Sequence, residues 1–388
     1  MRNEHSFDPY FWWHRLFYDG PANLLSEAYR TLVENGFLDA SALWRQFYDS
    51  SITFDFLRWY SICIYVGGCT ILYFAAAGRP LILPSPAKFL EIVLPRNVRS
   101  AASFKIDLQM YVAGLLKLPQ VMRVAGLFMV SVVGQYVVSA HAHLLPGLRH
   151  VSEAINELPE GWQHLFAFLI AFLTFDFGYY WGHRLCHRSQ ILWQFHKLHH
   201  YSRQLNMLGS VRHHPIEVLV TNTLGDVAMI LALSLFFEYG GRPDLPEFGA
   251  AFWVALPVVA INIVLNRFTH SHVVFSLVSL GPTLDRVFVT PAVHVIHHSR
   301  DIRDVNYGNA IAIWDVMFGT YHQHDVRTPI KLGITEFDDG HYRNIVQALF
   351  EPFKDAFVVV LGSRRIPFMR WGAAGSGENA ETREPTVG

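Results

Sequence analysis

The sequence predicts an all-α, multi-pass integral membrane protein, built as a helical bundle with a histidine-rich helical cap that faces the cytoplasm. Of the 388 residues, 51% are hydrophobic and 16% are charged, whereas a soluble domain has roughly 25% charged residues. Twelve of the 21 histidines lie between His183 and His298. The formal net charge of −1 excludes a protein that binds nucleic acid through a basic surface.

Five apolar stretches of 16 to 22 residues are predicted to be membrane spans. They are residues 56–77, 124–140, 162–181, 218–237 and 250–265. A helix needs about 20 apolar residues to cross a bilayer, and aromatic residues near its ends are typical of the membrane interface. The alternative is that these stretches are buried helices of a soluble protein, but the low content of charged residues favours spans.

The distribution of positive charge predicts the orientation of these spans. The stretches rich in lysine and arginine are residues 79–123, 183–217 and 267–388. The basic residues of the alternate connections, 146–161 and 239–249, are limited to Arg149 and Arg242. Because basic loops stay in the cytoplasm, the histidine segments are predicted to lie on the cytoplasmic side. Helix pairs that enter the bilayer only partly would give the same orientation.

The chain is predicted to have three parts. Residues 1–150 form an N-terminal membrane-associated region with one or two spans and show no signal-peptide pattern. Residues 151–325 contain the clustered histidines, and we expect the function to reside there. Residues 326–388 form an amphipathic segment that ends in a small, polar tail, which is expected to be disordered.

The clustered histidines form three boxes with helical spacing. The first is HRLCH at 183–187, the second HKLHH at 196–200 and the third HVIHH at 294–298. Residues three and four apart share a helix face, so an H-x-x-H-H helix can point three imidazoles into one space, and two such helices can enclose two metal ions. A structural zinc site needs only about four ligands. The alternative is that these histidines are exposed groups without metal.

The order and spacing of the boxes resemble the fatty acid hydroxylase/sterol desaturase superfamily of integral-membrane, non-haem di-iron oxidases. The similarity extends to DFGYYWGHRLCH (176–187), RHHP (212–215), NYG (306–308) and IWDVMFGTY (313–321). It covers about residues 160–325, so 151–325 is expected to be the catalytic domain. Within the superfamily, the stretch 270–321 is most similar to the alkylglycerol monooxygenases and their bacterial relatives.

The resemblance implies a set of ten metal ligands. They are His183, His187, His196, His199, His200, His214, His270, His294, His297 and His298. The roles of His213 and His272 are left open.

Asp176 is expected to support this site because it lies two helical turns before His183 and inside an apolar stretch, where a carboxylate is costly. It would accept the N–H of a ligand imidazole. The alternative is a hydrogen bond that only packs two helices together.

The superfamily resemblance implies two iron ions, with zinc possible as a substituted metal, and a reaction that uses O₂ and two external electrons. The substrate would be a sterol, a fatty acyl chain or an ether lipid taken from the bilayer. The product would be the hydroxylated or desaturated lipid. A separate reductase or small electron carrier is implied, since the sequence has no H-P-G-G element, which is the motif of a haem-binding electron-carrier domain. Two other functions remain open: a histidine-rich membrane metal transporter and a zinc-dependent membrane hydrolase, although the first box lacks the glutamate of H-E-x-x-H.

Overall fold

The regular secondary structure is helical in the parts of the chain that the computed structural model describes. These are residues 85–115, 157–236, 279–323 and 330–362, with a few residues within 63–74, 153–155 and 265–270. Across these residues the β pairing is limited to two isolated bridges, Phe288–Ile311 and Ser299–Leu332. The all-α prediction is therefore confirmed for the described part of the chain.

The helices are α1 (Pro86–Val93), α2 (Arg96–Arg99), α3 (Ala102–Leu115), α4 (Glu160–Arg188), α5 (Gln190–His200), α6 (Pro215–Phe236), α7 (Pro291–His297), α8 (Ile313–Met317) and α9 (Ile345–Gly362). Short 3₁₀ helices cover Met207–Val211 and Leu284–Arg286.

Helices α4 and α6 pack along each other and contain the two candidate membrane-spanning segments of the described residues, Leu165–Arg188 and Pro215–Leu233. Only 28% and 24% of their most apolar stretches are buried, whereas a core helix of a soluble protein would be mostly buried. Glycine permits the close approach of the two helices, since a Cβ atom at Gly178 would lie 2.2 Å from the Leu224 carbonyl oxygen. As predicted, α4 continues beyond its apolar stretch and presents the first histidine box.

Helix α5 follows α4 after a single residue. Ser189 caps the new helix by accepting a hydrogen bond from the Leu192 N–H at 3.3 Å. Beyond the cap, α5 packs against α3 and α9 around a core that contains Ile106, Leu198 and Ala348. This core fixes the C-terminal end of α5, which carries the second box.

Each of the three histidine boxes lies at the C-terminal end of a helix, namely α4, α5 and α7. Helix α7 begins with Pro291 at a position where proline is favoured, and all seven of its residues are buried. Because the carbonyl end of a helix carries partial negative charge, the ends of α4 and α5 favour a bound cation.

Several predictions concern residues outside the described part of the chain. They include the spans at 124–140 and 250–265, most of the span at 56–77, the start of the chain, the C-terminal tail and His272. The number of spans and the cytoplasmic orientation therefore stay predictions.

Candidate metal centre

The histidine boxes converge on two adjacent groups of buried imidazoles, which we call cluster A and cluster B. Cluster A consists of His183, His187, His196, His200 and His297. Cluster B consists of His199, His270, His294 and His298. Within each cluster the candidate ligand nitrogens lie within 4.8 Å of one another. Nine of the ten histidines that the resemblance implies as ligands therefore come together.

The two H-x-x-H-H boxes each contribute to both clusters, rather than pointing three rings into one space. In the box 196–200, His196 and His200 belong to cluster A and His199 belongs to cluster B. In the box 294–298 the two outer histidines belong to cluster B and the middle one to cluster A. The helical rotation of about 100° per residue explains the split, because i and i+4 lie about 40° apart whereas i+3 lies about 100° from i+4.

In cluster A, His196 lies at the centre. Its Nε2 atom lies 3.3 Å from Nε2 of His183, 2.9 Å from that of His187 and 2.9 Å from that of His200. His297 completes the group, and its Nε2 atom is buried without a hydrogen-bond partner. A buried polar atom without a partner is costly, which is consistent with a bound ion as its missing partner.

In cluster B, His270 lies at the centre. Its Nε2 atom lies 3.3 Å from Nε2 of His199, 3.3 Å from that of His294 and 3.1 Å from that of His298. Two nitrogens bound about 2.1 Å from one ion lie about 3.0 Å apart at a right angle and about 3.4 Å apart at the tetrahedral angle. The separations in both clusters therefore fit metal coordination.

Burial keeps five imidazoles of the two clusters neutral. It lowers the pKa of each of the five well below the usual range, and the neighbouring imidazoles lower it further. The five are His199, His200, His294, His297 and His298. A neutral imidazole offers a lone pair to a first-row metal, whereas a protonated one does not.

The comparison with known proteins matches the segment that carries the three histidine boxes. The family model described as fatty acid hydroxylase matches residues 168–320, which include both H-x-x-H-H boxes. We call the matched residues, 168–320, the hydroxylase domain. The resemblance to the superfamily is thereby confirmed.

Three curated relatives illustrate the range of this similarity. An ornithine lipid hydroxylase of Rhizobium tropici is 31% identical over 208 residues, which is 53% of this chain and 53% of that protein. Human alkylglycerol monooxygenase is 27% identical over 199 residues, which is 50% of this chain and 37% of that protein. Rat lathosterol oxidase is 25% identical over 181 residues, which is 46% of this chain and 52% of that protein. The chain thus spans about half or less of the length of these relatives. No solved structure matches it.

The hydroxylase domain fixes the outer nitrogens of three cluster imidazoles with backbone carbonyls. His183 Nδ1 donates to the Tyr307 carbonyl at 2.8 Å, and His297 Nδ1 donates to the Val305 carbonyl at 2.8 Å. His199 Nδ1 lies 3.3 Å from the Arg212 carbonyl. A carbonyl can only accept, so the proton sits on Nδ1 and the Nε2 lone pair points into the cluster.

The loop that supplies the first two carbonyls has an unusual backbone. Asp304 and Asn306 adopt left-handed conformations, with φ of 61° and 55°, on either side of Val305. The Asn306 side chain stabilises this loop, because its Nδ2 donates to the carbonyls of Val293 at 3.0 Å and His322 at 2.8 Å. Left-handed residues of this kind are costly and are often found at functional sites.

Asp315 holds the same loop from its other side. Its carboxylate accepts hydrogen bonds from the Tyr307 N–H at 2.7 Å, the Gly308 N–H at 2.8 Å and the Thr320 hydroxyl at 2.7 Å. A Cβ atom at position 308 would lie 2.9 Å from the Asp315 carboxylate, so glycine is needed there. Asp315 thereby places the carbonyl that His183 binds.

Asp176 occupies a different place from the one that the sequence suggested. Its carboxylate accepts from the backbone N–H groups of Ala310 at 2.9 Å and Ile311 at 3.1 Å and from Trp314 Nε1 at 3.0 Å. The expected contact to a ligand imidazole is replaced by contacts to the segment 309–314. The physical reason is that this segment meets α4 about two helical turns before His183, where its backbone N–H groups donate to the carboxylate.

The carboxylate that does lie against a cluster imidazole is Glu217, which sequence reasoning missed. Its Oε1 atom lies 2.9 Å from His196 Nδ1 and 2.6 Å from His213 Nδ1, and its side chain is 2% exposed. His213 in turn stacks on His199, with ring centroids 4.1 Å apart. A glutamate in the first turn of an apolar helix is a signal of the same kind as Asp176 and points to this role.

His214 lies outside both clusters, so its inclusion in the ligand set does not fit this geometry. Its Nδ1 accepts from the Ile216 N–H at 3.1 Å, and its Nε2 donates to the Leu349 carbonyl at 3.0 Å. Both ring nitrogens are therefore occupied by backbone groups. His214 stands directly before the start of α6 at Pro215, and its ring turns toward Leu349 of α9.

Proposed function

We propose that the chain is a membrane-bound, non-haem di-iron oxygenase that hydroxylates a C–H bond of a lipid with O₂ and two electrons from a separate donor. The observation that carries the proposal is the pair of adjacent all-histidine clusters inside a fatty acid hydroxylase domain. Iron is the metal that the superfamily resemblance implies, and neutral imidazoles suit it. Zinc remains possible as a substituted metal.

The residues of the chain would prepare the site before any substrate arrives. Five imidazoles of cluster A and four of cluster B would each hold one ion. The loop around Val305 and the carboxylate of Glu217 would keep the outer ring nitrogens in place, so that the rings need not reorient when the ions bind. Bound iron would supply the activation of O₂ and the removal of hydrogen from an unactivated C–H bond.

The names of the relatives favour hydroxylation over desaturation. Two of the three are called a hydroxylase and a monooxygenase, one of an ornithine lipid and one of alkylglycerol. The third is called lathosterol oxidase. We therefore propose a lipid substrate and leave its class among sterol, fatty acyl and ether lipids.

The position of the clusters relative to the candidate spans supports a membrane enzyme. The first box ends one residue before the end of Leu165–Arg188, and Glu217, which contacts His196 of cluster A, lies in the first turn of Pro215–Leu233. Both clusters therefore lie at one end of the two spans, where a lipid in the bilayer can reach them. The basic segments that share this end would place it in the cytoplasm.

Helix α9 offers a further surface for the bilayer. Its outer face presents Val346, Phe350, Phe353, Phe357 and Leu361, and Phe350 and Phe357 are 67% and 62% exposed. Its inner face buries Ala348, Pro352 and Ala356. The Phe353 ring lies 5.4 Å from the His214 ring, next to the start of the second candidate span. We propose that the outer face of α9 lies in the membrane interface.

The function is tested by purifying the protein in detergent and measuring bound metal and lipid oxidation for the wild type and His297→Ala. We expect nearly two iron ions per chain in the wild type, and a large loss of both iron and turnover in the variant. His341→Ala is the matched control, because His341 pairs with Glu351 at 2.6 Å and belongs to neither cluster. Full activity of His297→Ala would overturn the proposal, and a single tightly held zinc would favour a hydrolase.

A further inference from the structure

A buried ion pair connects the hydroxylase domain to a helix that lies before it in the chain. Asp107 is on α3, outside residues 168–320, and forms an ion pair with Arg212. Both side chains are 0% exposed. The second carboxylate oxygen of Asp107 accepts from Asn206 Nδ2 at 2.6 Å. The carboxylate is thus fixed by partners from the segment that links α5 to α6.

Arg212 uses its remaining donors to hold the end of α5. Its Nε donates to the Leu198 carbonyl at 3.1 Å, and its Nη2 donates to the His199 carbonyl at 3.3 Å. The last carbonyls of a helix have no partner within the helix, so a guanidinium that binds them fixes the helix end. Here the fixed end is the histidine box itself.

The backbone carbonyl of Arg212 also contacts the imidazole ring of His199. The Arg212 carbonyl lies 3.3 Å from His199 Nδ1, on the far side of the ring from cluster B. Nε2 of His199 lies 3.3 Å from Nε2 of His270 inside the cluster. One residue therefore fixes both the backbone and the ring orientation of a single candidate ligand.

We propose that Asp107 is a positioning residue for cluster B, acting through Arg212 on His199. A buried guanidinium without its counter-ion is unfavourable, so loss of the Asp107 charge would release Arg212 from the end of α5. His196 and His200 of cluster A share this end of α5, but the ring of His196 is held separately by Glu217, whose Oε1 lies 2.9 Å from His196 Nδ1. Cluster A would therefore be affected less, since His183 and His297 are also held separately, by the carbonyls of Tyr307 and Val305. The inference rests on the proposed binding of metal in cluster B and not on the identity of the lipid.

The test compares Asp107→Asn with a matched control, Asp339→Asn. Asp339 also joins α3 to the loop after α5, since it accepts from the N–H groups of Ser103 at 3.1 Å and Arg203 at 3.0 Å. These two hydrogen bonds join the same two segments without involving Arg212. Both variants would be purified whole and their iron content, the rate of iron release to a chelator and the thermal unfolding midpoint measured.

We expect Asp107→Asn to release one of its two ions at least tenfold faster than the wild type, while the other ion and the Asp339→Asn protein behave like the wild type. The double variant with Arg212→Gln should release iron no faster than Arg212→Gln alone, because Asp107 acts through Arg212. Equal release of both ions from Asp107→Asn, or a rate that follows the unfolding midpoint in all variants, would overturn the inference. A wild type with two ions and an unaffected Asp107→Asn overturns this inference alone, whereas a wild type without metal overturns the proposed function as well.

Discussion

Clusters A and B share the two H-x-x-H-H boxes, yet they are held in different ways. Cluster A has five imidazoles, and the fatty acid hydroxylase domain supplies the carbonyls behind His183 and His297 from one loop. Cluster B has four imidazoles, and the support behind His199 leads through Arg212 to a helix outside that domain. Histidine boxes of the same spacing therefore do not guarantee that two metal sites are supported equally. We expect the ion in cluster B to be the one that is lost first.

The largest expected effect separates the clusters by ligand number. His294→Ala leaves three imidazoles in cluster B, whereas His187→Ala leaves four in cluster A. We expect His294→Ala to lose about one ion per chain and more than about a hundredfold in turnover, which exceeds the ten- to hundredfold effect typical of outer partners. His187→Ala should retain more metal. Metal analysis of both purified variants checks this, and greater metal loss from His187→Ala would reverse the order of the two clusters.

The next prediction weakens cluster A through its carboxylate. Glu217→Gln removes the negative charge that faces His196 Nδ1 and His213 Nδ1 but keeps the shape of the side chain. We expect metal affinity to fall by about ten- to a hundredfold, as measured by competition with a chelator. His213→Ala is the control, since it leaves the contact between Glu217 and His196 intact. A larger effect from His213→Ala would assign the role to His213 instead.

Acidification should distinguish the clusters by their pH of metal release. The pKa values of His199, His294 and His298 in cluster B lie well below the unfolded value of about 6.5. The unfolded chain therefore binds more protons below pH 6.5, so stability is fully present above that pH and is lost as the pH falls below it. Protons also compete with metal. The pKa values of His200 and His297 in cluster A are lowered in the same direction, so the expected difference comes from the number of ligands. Because four imidazoles would hold the ion in cluster B and five in cluster A, we expect cluster B to lose its ion at the higher pH after dialysis at pH 7.5, 6.5 and 5.5. Simultaneous loss would contradict the difference.

A smaller effect is expected from the loop behind cluster A. Asn306→Ala keeps a residue with φ of 55° but removes the amide that binds Val293 and His322. We expect a loss of about 1–3 kcal/mol in the free energy of unfolding. Asn306→Gly loses the same amide but tolerates the left-handed backbone, so its loss should be smaller. Denaturant titration compares the two, and equal losses would show that the backbone conformation contributes little.

The sequence predicted the ligands better than it predicted their supports. The resemblance implied ten ligands and nine of these histidines come together in the structure, but neither motif nor spacing says which partner each ring meets. Backbone carbonyls such as those of Val305 and Tyr307 have no side-chain signature. His214 resembled a ligand because its motif is local, whereas its hydrogen bond to Leu349 depends on α9, 135 residues away. The all-α class followed from composition.

The ion pair behind cluster B shows the same limit more strongly. Asp107 and Arg212 are 105 residues apart in the chain, and although Arg212 belongs to the RHHP motif, nothing in the sequence around Asp107 singles it out. Neither spacing nor composition pairs them, because only the packing of α3 against the segment after α5 brings them together. Glu217 was within reach of sequence reasoning, since a buried carboxylate in an apolar helix is unusual.

The smallest expected effect on the metal centre comes from the outer face of α9, which touches neither cluster. In a Cys63→Ser background, Phe357→Cys and Lys331→Cys would each carry an environment-sensitive fluorophore in lipid nanodiscs. Both sites are exposed, since Phe357 is 62% exposed and the Lys331 side chain 68% exposed. If α9 lies in the membrane interface, spin-labelled lipid should quench the label at 357, and aqueous iodide should quench the label at 331. Iron content should match the wild type in both, because the surface that meets the lipid is separate from the residues that hold the ions. Quenching of both labels by iodide alone would place α9 in water and remove its proposed role at the membrane.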